Sequence, residues 1–181
     1  MAKHPEIQEK LYAEIVKIAP PSVEKIGVDH VDQMPYLNGF LQEVLRLYPP
    51  AGFFSRTNTG PETLGGVTIP AGTRLGISAH ILQRHPKYWD DPNTFIPERW
   101  INVSEAEAER RRFAYFPFSA GGRSCIGARF ATCEAQLIVA ALVRAFRIEI
   151  APSQKDTEHT FTTRITMKAK PAISIVVHKR S

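Results

Sequence analysis

The stretch Phe118-Ser-Ala-Gly-Gly-Arg-Ser-Cys125-Ile-Gly127 decides how this chain is read. One cysteine stands in a glycine-rich loop, with Arg123 two residues before it. A helical pattern opens directly behind, over Ala128-Arg-Phe-Ala-Thr-Cys-Glu-Ala-Gln-Leu-Ile-Val-Ala-Ala-Leu. Glycines let backbone approach a flat ligand with no Cβ between. A helix start offers unpaired N–H groups and the positive end of the macrodipole, and both favour an anionic sulfur. The guanidinium of Arg123 suits a carboxylate. Together these are the parts that hold a haem iron through a thiolate.

A lone cysteine is more plainly a small buried apolar side chain, and the loop by itself leaves that open. Zinc fits less well, since a structural site takes about four ligands and the chain has two cysteines. A disulfide fails on reach. Cys125 and Cys133 lie eight residues apart across a helix start, which at ~1.5 Å per residue puts their Cα atoms roughly 12 Å apart. A bridge allows ~7 Å.

The loop resembles the haem-binding signature of the cytochrome P-450 superfamily, Phe-x-x-Gly-x-Arg-x-Cys-x-Gly, at Phe118, Gly121, Arg123, Cys125 and Gly127. Two further motifs of that family stand upstream, in the family's order. Glu43-Val-Leu-Arg46 is similar to its K-helix Glu-x-x-Arg pair, and Pro97-Glu-Arg99-Trp100 to its Pro-x-Arg meander motif. A single Glu-x-x-Arg arises by chance in many helices; three motifs in order and spacing do not. The likeness covers essentially the whole chain and is eukaryotic in style, a fungal type being one option.

The resemblance implies a mainly α fold with small β-sheets (α+β), the C-terminal proximal part of a P-450 domain without its N-terminal portion and distal helix. It implies haem b as cofactor, with the Cys125 thiolate as axial metal ligand and catalytic centre. Thiolate ligation favours O–O cleavage. Phe118 would pack near the sulfur, Gly121 and Gly127 would admit the macrocycle, and Arg123 and Arg56 would meet its propionates. Glu43, Arg46 and Arg99 would form a buried charge triad that supports the loop. Implied partners are an electron donor, such as an NADPH-dependent flavoprotein reductase, and an apolar small molecule. Full-length relatives suggest the endoplasmic reticulum membrane. One departure is Gln83-Arg84-His85-Pro86, where many relatives read His-Arg-Asp-Pro; the histidine that would carry any propionate contact there is replaced.

Family catalytic domains run more than twice this length. Nothing here matches the Ala-Gly-x-Asp/Glu-Thr pattern of the helix that delivers protons to oxygen. The chain is therefore expected to be a truncated product, a fragmentary gene model or a decayed copy.

The composition is that of a globular chain: 181 residues, 43% hydrophobic and 23% charged, enough for one domain. No apolar run reaches the ~18 residues of a membrane span, and the opening Met1-Ala-Lys-His-Pro-Glu is polar, without a signal pattern. The net charge of +5 suits a docking face for an acidic electron donor or plain solvated charge.

Along the chain, Ile7, Leu11, Ile15 and Ile18 fall on one face of a helix over about 5–18. Pro5 suits its first turn, and Pro20-Pro21 ends it. A K-type helix over about 34–48 puts Glu43 and Arg46 on one face. Two strands are expected over about 63–77, joined at Pro70-Ala-Gly72, then a short helix over 79–84. A proline-punctuated meander follows over 86–117, its aromatic residues packing. Within it, Ser104 with Glu107 makes a capping box, Glu107–Arg111 an i,i+4 pair, and the arginine run a solvated face. The helix over about 126–146 is expected to be deeply buried. Period-two alternation over about 160–178 predicts two strands, with Phe161 and Thr162 as candidate substrate contacts.

Three functions compete. The first is haem-thiolate oxygenation of an apolar substrate. The second is a non-catalytic haem-binding or inert remnant, which shares the loop without turnover. The third is a nucleic-acid module, which would need clustered cations interleaved with exposed aromatics; here the aromatics sit in the meander, and no nucleic-acid partner is expected.

Overall fold

The computed structural model describes residues 1–163 and 166–180. Arg164, Ile165 and Ser181 lie outside the described residues, so the alternation expected from Thr160 is described only in part. The helices are α1 (Pro5–Ile18), α2 (Val28–Val31), α3 (Pro35–Leu47), α4 (Ala79–Leu82), α5 (Glu105–Arg111) and α6 (Ala128–Ala145). The strands are β1 (Phe53–Thr57), β2 (Glu62–Leu64), β3 (Val67–Ile69), β4 (Arg74–Ser78), β5 (Phe146–Ile150), β6 (Thr160–Thr163), β7 (Met167–Lys170) and β8 (Ile175–Lys179). The class is α+β, with helices as the framework and short antiparallel ribbons around them.

The core lies where α1, α3 and α6 meet. Ile7, Leu11 and Ile15 recur every four residues along α1 and are all buried, which is the stripe an amphipathic helix presents to its neighbours. They pack with Leu37, Phe40 and Leu41 of α3 and with Ala140 and Val143 of α6. Prolines open α1 and α3, where a missing N–H takes nothing from the helix. The Glu14 carboxylate accepts the Tyr36 and Leu37 N–H groups, each at 2.8 Å. It thereby satisfies two orphan donors and the dipole at the start of α3. Gly39, inside α3, is required by a close approach: a Cβ there would lie 2.7 Å from the Pro97 carbonyl oxygen. The meander can therefore press directly on the helix.

Strand pairing departs from the expected layout. β2 pairs with β3 around Gly65-Gly66, whose φ values are +56° and +82°. The segment after Pro70 pairs instead with β1, Arg56 standing opposite Leu75. Among the described residues the tail holds three strands where two were expected: β6 pairs with β7, and β8 pairs with β5. β5 begins directly after α6 at Phe146, where the helix was expected to end, and Ile148 lies opposite Val177. Pairing is a non-local choice, and the local alternation that marks a strand does not name its partner.

Two burial expectations are also corrected. α6 is not deeply buried: Phe130 is 72% exposed and Ile138 52%, while Gln136, Ala140 and Val143 face the core. α1, α2 and α3 cover one side of it; apolar content around a helix does not say which faces have neighbours. Arg111 is no part of a solvated face. It is buried, donates to the Arg99 carbonyl at 2.7 Å and lies over the Trp89 ring.

Candidate functional site

Glu43 and Arg46 stand one turn apart on α3 and are both fully buried. Their ion pair is bidentate: Arg46 Nε and Nη2 donate to Oε2 and Oε1, each at 2.8 Å. Arg99, brought in by the 3-10 turn Pro97–Trp100, donates from Nε to Oε1 at 3.0 Å. The Ile96 N–H adds a bond to Oε1 at 3.0 Å, and the Trp100 indole one to Oε2 at 2.9 Å. Burial pushes the Glu43 pKa up. Bonds from Arg46, the Ile96 N–H and Trp100, with the Arg46 charge, outweigh it and hold the carboxyl below the ordinary glutamate value. The remaining guanidinium donors also find partners. Arg46 Nη1 bonds to the Gln83 and Pro92 carbonyls, and Arg99 reaches the Asp90 and Asp91 carbonyls. A buried pair needs this completeness, because desolvating two charges is repaid only when lone pairs and protons are all engaged.

Residues 118–127 form a closed loop ahead of α6. The Cys125 N–H donates to the Phe118 carbonyl at 2.9 Å, and the Ser119 N–H to the Phe116 carbonyl at 3.0 Å. Gly121 opens a short 3-10 turn through Arg123 at φ +76°, in the left-handed region that favours glycine. Gly127 is the residue just before α6. Cys125 and Arg123 are exposed, and Phe118 is half-buried. A Cβ built on Gly121 or Gly122 would meet no atom within 4 Å, so one face of the loop is open. Ile126 and Phe130 beside it are exposed apolar side chains.

The structure joins Arg56 to this loop. From β1 it donates through Nη2 to Ser119 Oγ at 3.0 Å and through Nη1 to its neighbour's carbonyl, that of Ser55, at 3.0 Å. The expected role at a propionate therefore shares the guanidinium with a bracing role on the loop crest. Ser119 itself has φ +64°. Arg123, by contrast, stands at the surface with the loop.

Three residues matter here that sequence reasoning passed over. Trp100 was read only as part of a motif, yet its indole is a direct partner of Glu43. Trp89 is wholly buried, and the guanidinium groups of Arg46 and Arg111 lie over its ring, 5.2 and 5.3 Å from the ring centre. Gln83, read as a departure from a family run, is wholly buried and fully engaged with backbone. The aromatic density of the meander was a signal for the tryptophans; a single glutamine carries none. Of the candidate substrate contacts, Phe161 packs on Tyr48 with the rings tilted and their centres 4.8 Å apart. It lines an open cavity of about 650 Å³ with Phe53, His80, Ile81 and Met167; Thr162 is exposed and not in that lining.

The family model described as Cytochrome P450 matches residues 1–176. The chain belongs to the cytochrome P450 family. It is 32% identical to "Probable cytochrome P450 4p3" of Drosophila melanogaster over 99% of this chain and 34% of that protein. It is 33% identical to "Cytochrome P450 4c21" of Blattella germanica, over 100% of this chain and 35% of that one. To "Thromboxane-A synthase" of Mus musculus it is 38% identical over 84% of this chain and 28% of that one. The chain thus spans about a third of the length of the curated relatives it matches.

Cytochromes P450 are haem monooxygenases. This P450 chain offers residues whose chemistry fits that group: a solvent-facing thiol, an open glycine face, flanking apolar side chains and two nearby guanidinium groups. Among the described residues, no group of three or more His, Cys, Asp or Glu side chains is arranged to hold a metal ion, and the loop supplies one sulfur. Among the described residues, no helix is long and apolar enough to cross a membrane.

Proposed function

We propose that this chain forms the thiolate-donating haem platform of a cytochrome P450 monooxygenase. The observation that supports it is the exposed Cys125 on an open, hydrogen-bonded glycine loop ahead of a long helix, within a chain of this family. Cys125 would ligate the iron of haem b. Arg123 and Arg56 would neutralise propionates, where a guanidinium matches a carboxylate in shape and charge. Gly121 leaves the approach clear, and the exposed Ile126 and Phe130, with the half-buried Phe118, would offer apolar contact to the bound macrocycle. Haem, when bound, supplies oxygen activation, to which an axial thiolate adds electron density. Glu43, Arg46 and Arg99 do no chemistry; they hold the meander on α3 and so hold the segment that leads into the loop.

The wider activity would be insertion of one atom of O2 into an apolar organic substrate, with electrons from a flavoprotein reductase. The resemblance implies the endoplasmic reticulum membrane for the full-length protein, and another relative is named "Probable cytochrome P450 12d1 proximal, mitochondrial". The test is spectroscopic. The chain is mixed with haemin, reduced and exposed to carbon monoxide. A red-shifted Soret band typical of thiolate-bound iron, lost in Cys125→Ala, is the expected result. Absence of that band in the unaltered chain, or its survival in Cys125→Ala, removes Cys125 as the ligand. Product formation with a reductase is a separate measurement, which distinguishes the enzyme from a haem-binding chain without turnover.

A further inference from the structure

Gln83 stands just beyond α4, far in sequence from both the charge centre and the cysteine loop, and no part of its side chain reaches solvent. Its Nε2 donates to the Leu45 and Arg46 carbonyls, both at 3.0 Å. These belong to the last turn of α3, where carbonyls lack intrahelical partners. Its Oε1 accepts the Phe116 N–H at 3.1 Å. Two carbonyls on one side and an N–H on the other leave a single orientation for the amide. The link is reciprocal on the α3 side, because Arg46 Nη1 donates to the Gln83 carbonyl at 2.8 Å.

Phe116 is the anchor of the loop. Its carbonyl accepts the Ser119 N–H, and two residues on the Phe118 carbonyl accepts the Cys125 N–H. The carboxamide is thus one residue wide between the Glu43–Arg46 pair and the strand of backbone that carries the cysteine. We propose that Gln83 is a positioning residue for the cysteine loop: it fixes Phe116 to the end of α3, and through that anchor sets the place of Cys125. The meaning of this for haem rests on the function proposed above; the positioning itself does not.

The decisive contrast uses another buried glutamine, Gln8, on α1. Gln8 makes the same kind of two-way clamp, with Nε2 to the Ile148 carbonyl at 2.9 Å and Oε1 to the Ile148 N–H at 2.6 Å, but it joins α1 to β5. Hydrogen exchange on the full haem-free chain would be compared for Gln83→Leu, Gln83→Glu and Gln8→Leu. Gln83→Glu keeps the volume and the acceptor but, when ionised, has no donor for the two carbonyls. The expected result is a tenfold or larger loss of protection confined to residues 116–127 in both Gln83 variants. In Gln8→Leu the loss should fall on α1 and β5, with residues 116–127 unchanged.

Equal loss in every segment, including failure to fold, makes Gln83 a stability residue only and overturns the proposal, as does protection of 116–127 within twofold of the unaltered chain. In the reduced carbon-monoxide complex, Gln83→Glu should lower the share of the red-shifted band while Gln8→Leu leaves it. If the unaltered chain shows no such band but the exchange pattern holds, the haem assignment fails and the positioning of the loop by Gln83 stands.

Discussion

Glu43 has no exposed surface and receives five hydrogen bonds, from two guanidinium groups, an indole and a backbone N–H. Cys125 faces solvent on a loop whose closing bond is made by its backbone, not its sulfur. The first group is satisfied by its own chain; the second is presented outward. A buried charge must be fully partnered because the interior offers no water to replace a missing bond. An exposed thiol carries no such demand, so its surroundings are free to be shaped for a ligand. The contrast separates the residues that make the scaffold from those that would do chemistry.

Breaking the buried side should have the largest effect. Glu43→Ala leaves Arg46 and Arg99 without their carboxylate, and is expected to cost about 3–5 kcal/mol, read from the urea midpoint at constant m-value. A midpoint within experimental error of the unaltered chain would show that the meander is held by packing alone.

Acid should act on the same centre. The folded-state pKa of Glu43 lies below its ordinary value, so its contribution is fully present above the unfolded-state pKa. It is lost as pH falls through the depressed folded-state value. Stability should therefore drop below about pH 4.5, near the ordinary glutamate pKa, and Glu43→Gln should flatten that drop. Parallel pH curves for the two chains would assign the acid sensitivity elsewhere.

A smaller loss is expected at the α1–β5 clamp. Gln8→Leu leaves the Ile148 N–H and carbonyl without their side-chain partner, a change of about 1–3 kcal/mol, measurable by the same titration. Smallest on stability is the exposed side. Cys125→Ala should shift the unfolding free energy by no more than about 0.5 kcal/mol while abolishing the thiolate spectrum. A Cys125→Ala chain destabilised as much as Glu43→Ala would mean that the sulfur is a packing group, and the contrast would dissolve.

Much of this was visible before any coordinates. The spacing of Ile7, Leu11 and Ile15 marked α1, and the Pro35 to Leu47 stretch read as a helix carrying Glu43 and Arg46 on one face. The cysteine loop was marked by its glycines and by the helix behind it. Other features left no local trace. Trp100 and Gln83 are ordinary residues until the partner that each meets is known, and Arg111 sits in a run that looks solvated. β5 follows a helix without a breaker, and its strand character comes from pairing with β8, some thirty residues on.

The sequence alone determined the principal helices and the loop that bears the cysteine, because helix periodicity, capping and glycine chemistry act over a few neighbouring residues; the family and the α+β class came from the resemblance of three motifs in order. Only the tertiary structure decided which strands pair, which face of α6 is covered, and that a wholly buried glutamine ties α3 to the segment before Cys125. Those outcomes depend on which distant groups meet when water is excluded, and a buried polar atom is defined by its partner rather than by its place in the chain.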